Sequence, residues 1–286
     1  MKRLKEIINE LKISTEIQQQ DAEKLIREFI FYSPKMPLRL HQETLLADSK
    51  RFTLKVFDAY FTQGYLDVNC FSWGTGDVKV VLTHGWASKA ADFYELIAAL
   101  RKIDDLEIIA FDAPGNGSSV SELSNLMLYA DSVKSIAENY AAPDFLIGHS
   151  LGGMANVIAV QEAALNPKWL ISIAPLIRLK ENFAQSMDSV NIGQSAQENF
   201  FKNFSEEFPV KAEHFNLTGL YSLKADFNHF LAYDEEDHIS PYSFLAEFLT
   251  KNKGIKAKAY QGAGHYKILK SPDVIRDLLN IINSSI

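Results

Sequence analysis

Apolar positions along this chain follow two periods, and the switch between them marks how it is organised. Near the start Leu4, Ile7, Ile8 and Leu11 recur at helical spacing, as do Ala22, Leu25, Ile26, Phe29 and Ile30. Two amphipathic helices are therefore expected, the second stopping before Ser33-Pro34 and Met36-Pro37. From residue 52 the pattern turns to short strand-like runs. Residues 52–60 and 65–73 read as an antiparallel pair around Gly64, and 78–83 opens a parallel part. Further strands are expected at 106–110, 144–147, 169–174, 227–231 and 256–260, with helices at 92–102, 125–140, 152–165, 241–251 and 272–282. Such alternation implies an α/β chain whose mostly parallel central sheet carries helices on both faces. Its ligand crevice is expected beyond the C-terminal ends of the strands.

Residues 176–224 break the alternation, because the connection is far longer than neighbouring elements need. This insertion carries Phe183, Phe200, Phe201, Phe204, Phe208 and Phe215. Most of these rings are expected to join helices of the insertion to each other, with one or two left to face a pocket. Residues 1–45 form a helical extension and 46–286 one larger domain. The extension's apolar faces are expected to cover the sheet edge or a helix layer, with a homodimer contact or attachment to a membrane surface as the alternatives.

Candidate chemistry sits at strand ends. Gly148-His149-Ser150-Leu151-Gly152 follows one apolar run and opens a helix, which places Ser150 on a sharp strand-to-helix turn. Glycines on either side permit backbone angles and close approaches that a Cβ would block. Asp237 follows the strand expected at 227–231, and His265 follows the one at 256–260, within Gly262-Ala263-Gly264-His265. A serine hydroxyl needs an imidazole to take its proton, and the imidazole needs a carboxylate to fix its tautomer. Asp237 competes with Asp234, Glu235 and Glu236, whose ordinary role is a solvated acidic loop. Among the other histidines, His84 is expected to brace a turn, His149 to pack beside the serine, and His229 and His238 to pack or face solvent.

The chain order Ser, Asp, His resembles that of the α/β-hydrolase superfamily, in particular its serine esterase and lipase-like members. Further likeness lies in His84-Gly85-Trp86 after the strand at 78–83, and in Phe111-Asp112-Ala113-Pro114-Gly115-Asn116-Gly117-Ser118 after the strand at 106–110. It runs from about residue 52 to the C-terminus. The resemblance implies an α/β-hydrolase fold with a helical lid over about 176–224. It also implies a Ser150, Asp237, His265 triad and an oxyanion hole from the N–H groups of Trp86 and Leu151. The activity implied is hydrolysis of a carboxylic ester of a small or medium, largely apolar acyl group. Acyltransferase, thioesterase, amidase and peptidase chemistry use the same triad, and a noncatalytic ligand- or partner-binding protein of this fold is the alternative from another class.

Composition narrows this further. A formal charge of −7 and a pI near 5.5 argue against a nucleic-acid partner. No metal or cofactor is expected, since no metal-ligand spacing such as His-Glu-x-x-His occurs. Cys70 is the one cysteine, which excludes an intramolecular disulfide and fits a reducing compartment. The charged start Met1-Lys2-Arg3-Leu4-Lys5-Glu6 lacks an apolar core of signal-peptide length, and no apolar run approaches the roughly 18 residues of a membrane span. A cytoplasmic enzyme acting on a small-molecule ester is the expectation.

Overall fold

A computed structural model describes residues 2–13, 19–224 and 227–286. Its centre is one sheet of eight strands: β1 (Lys50–Asp58), β2 (Gly64–Gly74), β3 (Val78–Thr83), β4 (Leu106–Asp112), β5 (Phe145–His149), β6 (Trp169–Ile173), β7 (His229–Tyr233) and β8 (Lys256–Ala259). The spatial order is β1-β2-β4-β3-β5-β6-β7-β8. β1 pairs antiparallel with β2 and β2 with β4, while all the pairings from β4 through β8 are parallel. β1 ends two residues before the expected 60 because the Asp58 carboxylate accepts the N–H groups of Tyr60, Phe61 and Thr62 at 2.9 to 3.1 Å. That local capping competes with further strand pairing.

Alternation along the inner strands divides the core between the two faces. Val81, Ile109 and Leu146 point to one side, where α5 (Leu126–Asn139) and α6 (Leu151–Glu162) pack with Val133 and Ile158. Val80, Leu82, Phe145 and Ile147 point to the other, against Leu96 and Leu100 of α4 (Tyr94–Leu100) and Leu278 and Ile282 of α12 (Pro272–Asn283). Burial on both faces explains why 108–111 of β4 and 145–147 of β5 are continuous apolar runs rather than alternating with polar residues. The helix expected at 92–102 is shorter: a 3-10 turn, Ala90–Phe93, precedes α4.

Ahead of the sheet lie α1 (Lys2–Ile13), α2 (Gln19–Phe31) and α3 (Leu40–Ala47), the last not foreseen in the sequence. Arg3 reaches Glu28 with both Nε and Nη2, at 2.6 and 2.5 Å, and joins α1 to α2. The insertion folds as α7 (Leu179–Asp188), α8 (Gln194–Glu207) and α9 (Leu217–Leu220), and α10 (Tyr242–Lys251) follows β7. α2 lies against this insertion, with Arg27 bonded to Glu207 of α8 and the Phe31 ring 6.0 Å from Phe183 and 5.5 Å from Phe208. Among the described residues, no helix is long and apolar enough to cross a membrane.

Candidate active site

Ser150 joins β5 to α6 with φ 55° and ψ −121°. A non-glycine residue in that region is strained, and the fold holds it there by bonding the Ser150 N–H to the Ile173 carbonyl at 3.0 Å. The flanking glycines are needed for space. A Cβ on Gly148 would lie 2.5 Å from the Gly152 carbonyl oxygen, and one on Gly152 would lie 2.3 Å from that of Thr83. The turn therefore packs under β3 only with glycine at both positions.

His265 enters from the short helix α11 (Gly264–Lys267), and its Nε2 stands 2.8 Å from Ser150 Oγ. Its Nδ1 stands 2.7 Å from Asp237 Oδ2. Because the carboxylate accepts, Nδ1 carries the proton and Nε2 is left to accept from the serine hydroxyl. The other Asp237 oxygen accepts the N–H groups of Ile239 and Ser240 at 2.8 and 2.9 Å, which holds the carboxylate in one orientation. All three side chains are buried.

Asp234, the nearest competitor on the same loop, is engaged elsewhere. Its carboxylate accepts N–H groups from Glu236, Ala263 and Gly264 at 2.7 to 2.9 Å, binding the acid loop to the segment that carries His265. Burial alone would raise its pKa, but those backbone donors outweigh it and hold the group below the ordinary carboxylate value. Glu235, Glu236 and His238 face solvent.

The turn after β3 is anchored from beneath. The Ala113 N–H donates to His84 Nε2 at 3.0 Å, so His84 Nδ1 bears the proton and donates to the Gly85 carbonyl at 2.7 Å. Tyr129 Oη donates to the same carbonyl at 3.1 Å. Carbonyl and following N–H point in opposite directions across a trans peptide, so fixing the Gly85 oxygen also fixes the direction of the Trp86 N–H. Leu151 supplies the first N–H of α6, a group without a partner inside its own helix. Asp112 closes the arrangement by accepting from the Ala90 and Ser118 N–H groups at 2.8 and 2.7 Å. Neither Tyr129 nor the contact from Gln42 of α3 to Asp92, at 2.8 Å beside this loop, was foreseen. Sequence periodicity marks Tyr129 as helical but does not name a partner so far along the chain, and it does not show the helix of Gln42 at all.

His149, beside the serine, donates from Nε2 to the His265 carbonyl at 2.9 Å, while its Nδ1 is buried with no hydrogen-bond partner. Burial, with the neighbouring His265 second, pushes the His149 pKa down to about 4, so it stays neutral beside His265 at neutral pH. Ser150, His265, Trp86 and Leu151 border one cavity of about 470 Å³. Phe183 and Leu179 of the insertion line it, and so do Leu4 of α1 and Phe29, Ile30 and Phe31 of α2.

The sequence model of the alpha/beta hydrolase family matches residues 80–277, more than half of the chain. The chain belongs to the alpha/beta hydrolase family. Rat monoglyceride lipase is 28% identical over 129 residues, 41% of this chain and 42% of the lipase, and the mouse protein is 26% identical over the same length. This chain's match thus spans less than half the length of these curated relatives. An esterase from Pyrococcus furiosus superposes with a TM-score of 0.61 at 18% identity, over 89% of this chain and 96% of its own. The Bacillus subtilis carboxylesterase CesB gives 0.57 at 18%, over 86% and 97%. At such identities these structures speak for the fold.

The family segment contains a second serine and histidine in contact, which differ from the first in backbone setting and in the third partner. Ser172 Oγ lies 2.9 Å from His229 Nε2, but Ser172 is within β6 rather than on a turn between strand and helix, and His229 opens β7 at the end opposite the crevice of an α/β sheet. The other His229 nitrogen faces Tyr221 Oη at 3.1 Å rather than a carboxylate. Burial pushes His229 down to about 3, as suits a neutral imidazole joining two strands.

Proposed function

We propose that the chain is a serine hydrolase that cleaves a carboxylic ester of a small or medium, largely apolar acyl group. The observation carrying this reading is His265 standing within hydrogen-bond distance of both Ser150 Oγ and Asp237 Oδ2, at the edge of an apolar-walled cavity. The names of the relatives, a monoglyceride lipase and esterases, point the same way.

In this reading Ser150 Oγ attacks the ester carbonyl carbon as His265 Nε2 takes its proton. The tetrahedral oxyanion is held by the N–H groups of Trp86 and Leu151, each such donor being worth about 3 to 4 kcal/mol where it has been measured. Collapse breaks the bond to the alcohol oxygen, which leaves with the proton from His265. Water then gives a proton to His265 and attacks the acyl-enzyme carbonyl. The acid departs as the proton returns to Ser150. Asp237 stabilises the imidazolium at both stages without taking its proton.

A serine-reactive fluorophosphonate should label wild-type protein at Ser150 and should not label Ser150→Ala. Turnover of p-nitrophenyl butyrate should fall by about 10⁴-fold or more in that variant, the scale of losing a triad member. Equal turnover by purified Ser150→Ala would refute the reading.

A further inference from the structure

Behind the cavity at Ser150 lies a second, smaller one of about 200 Å³, and the two share Phe31, Asn125, Leu126, Leu179 and Phe183 as a common wall, with Asn125 Oδ1 already accepting the Leu128 N–H at 2.9 Å. The far chamber is bounded by Met127, Phe204, Phe208 and Phe215 among others. Its lining also includes Glu162 and His214, but both are solvent-exposed, so they mark an outer end, while the buried part is apolar but for Asn125. The ring at the centre of the wall comes from α2, outside the residues matched by the family model. Phe31 is buried and packs on rings from the insertion, 6.3 Å from Phe204 and 5.5 Å from Phe208.

We infer that the N-terminal helix α2 is part of the substrate site, with Phe31 dividing an acyl channel whose second chamber receives the tail of a straight-chain acyl group. The inference rests on the proposed ester hydrolysis at Ser150 and adds to it a preference for the longer acyl chains and the residues that set it. Three features lead to this occupant. The chamber adjoins the cavity at the serine, four of the five residues in the shared wall are aliphatic or aromatic, and no charged group stands in that wall. An acyl tail matches a largely apolar chamber adjoining the reacting end, whereas a polar alcohol would find only the Asn125 amide to partner its hydroxyls in that wall.

Each methylene that leaves water for such a chamber contributes about 0.8 kcal/mol, or about fourfold in kcat/KM. For wild-type protein, kcat/KM should therefore rise from p-nitrophenyl acetate through butyrate and octanoate to decanoate. Met127→Trp fills the far chamber and should lower the decanoate-to-butyrate ratio by about tenfold or more, while Phe31→Leu trims the dividing ring and should raise it. Calorimetric titration with decanoic and butanoic acids provides a readout that needs no turnover, with Met127→Trp weakening decanoic acid selectively. If Ser150 is labelled by the fluorophosphonate but both ratios stay at the wild-type value in folded variants, the channel is refuted and the hydrolase reading stands. If Ser150 is not labelled yet decanoic acid binds and Met127→Trp weakens it, the chamber stands and the hydrolase reading falls. Should Met127→Trp fail to fold, the Phe31→Leu ratio alone decides, and no increase refutes the channel.

Discussion

Asp234 and Asp237 sit on one loop with different partners, and the partners separate their roles. Asp237 turns one oxygen to His265 Nδ1 and the other to two backbone N–H groups, whereas Asp234 spends both oxygens on backbone donors. Asp237→Asn should preserve the fold and cut ester turnover by about 10⁴-fold, because an amide favours the wrong imidazole tautomer. In Asp234→Asn, an NH₂ group must face the N–H groups either of Glu236 or of Ala263 and Gly264, leaving buried donors unpaired at a cost of about 1 to 3 kcal/mol. The second variant should thus show the lower melting temperature and the first the lower turnover per folded molecule. A reversed pattern would move the acid to Asp234. His149 adds a further residue-scale constraint, since its Nε2 proton holds the backbone of His265 rather than any group that reacts.

At the scale of elements, the joint between α2 and the insertion shows which contacts hold the roof of the cavity. Arg27 bonds to Glu207 across it, but both side chains are about one-third exposed, and exposed pairs contribute only about 0.2 to 1 kcal/mol. Phe31 is 2% exposed, and removing a buried phenylalanine ring costs about 3 to 5 kcal/mol. Phe31→Ala should therefore lower the unfolding free energy, measured by denaturant melts, several times more than Arg27→Ala. Comparable losses would mean that the ion pair carries the joint. The existence of α2 is legible in the spacing of Ile26, Phe29 and Ile30, but periodicity says which face is apolar, not what covers it. That is why the extension reads as a cover for the sheet edge or a helix layer, with nothing to say that Phe29 to Phe31 stand at the cavity. The inner strands are legible because burial on both faces makes them continuous apolar runs. α3 is not, because its buried residues are Gln42, Leu45 and Leu46, too few and too mixed for a helical stripe. Of the insertion's six phenylalanines only Phe183 lines the cavity at Ser150, and what the others do depends on helix packing that no local pattern records. The site was more legible, since the serine turn demands glycine at fixed offsets and leaves a mark in the sequence that aromatic packing does not.

Across the whole molecule, acidification should set two effects against each other. The formal charge of −7 at neutral pH shrinks toward zero near pH 5.5, which relieves self-repulsion between surface groups. Salt screens such repulsion over about 8 Å at physiological ionic strength, so the relief is small. Against it stand His84, His149 and His229, all buried and all held below their ordinary value chiefly by burial, His149 to about 4 and His229 to about 3. Each unfolded imidazole binds a proton near pH 6.5, which its folded counterpart refuses until the pH is far lower. Between those values the unfolded chain holds more protons, so stability falls as pH falls, by up to about 1.4 kcal/mol per pH unit for each group. Above about pH 7 the contribution is complete and the slope from these groups vanishes. The imidazoles outweigh the screened surface charge, so the melting temperature should drop steadily from pH 6.5 toward 4.5. His229→Asn should be less stable at pH 7.5, because Ser172 and Tyr221 lose a shared partner, yet show a shallower decline on acidification. Thermal melts of both proteins at half-unit steps of pH would decide it, and a wild-type melting temperature that is flat or rising from pH 6.5 to 4.5 would show that relief of surface repulsion dominates instead.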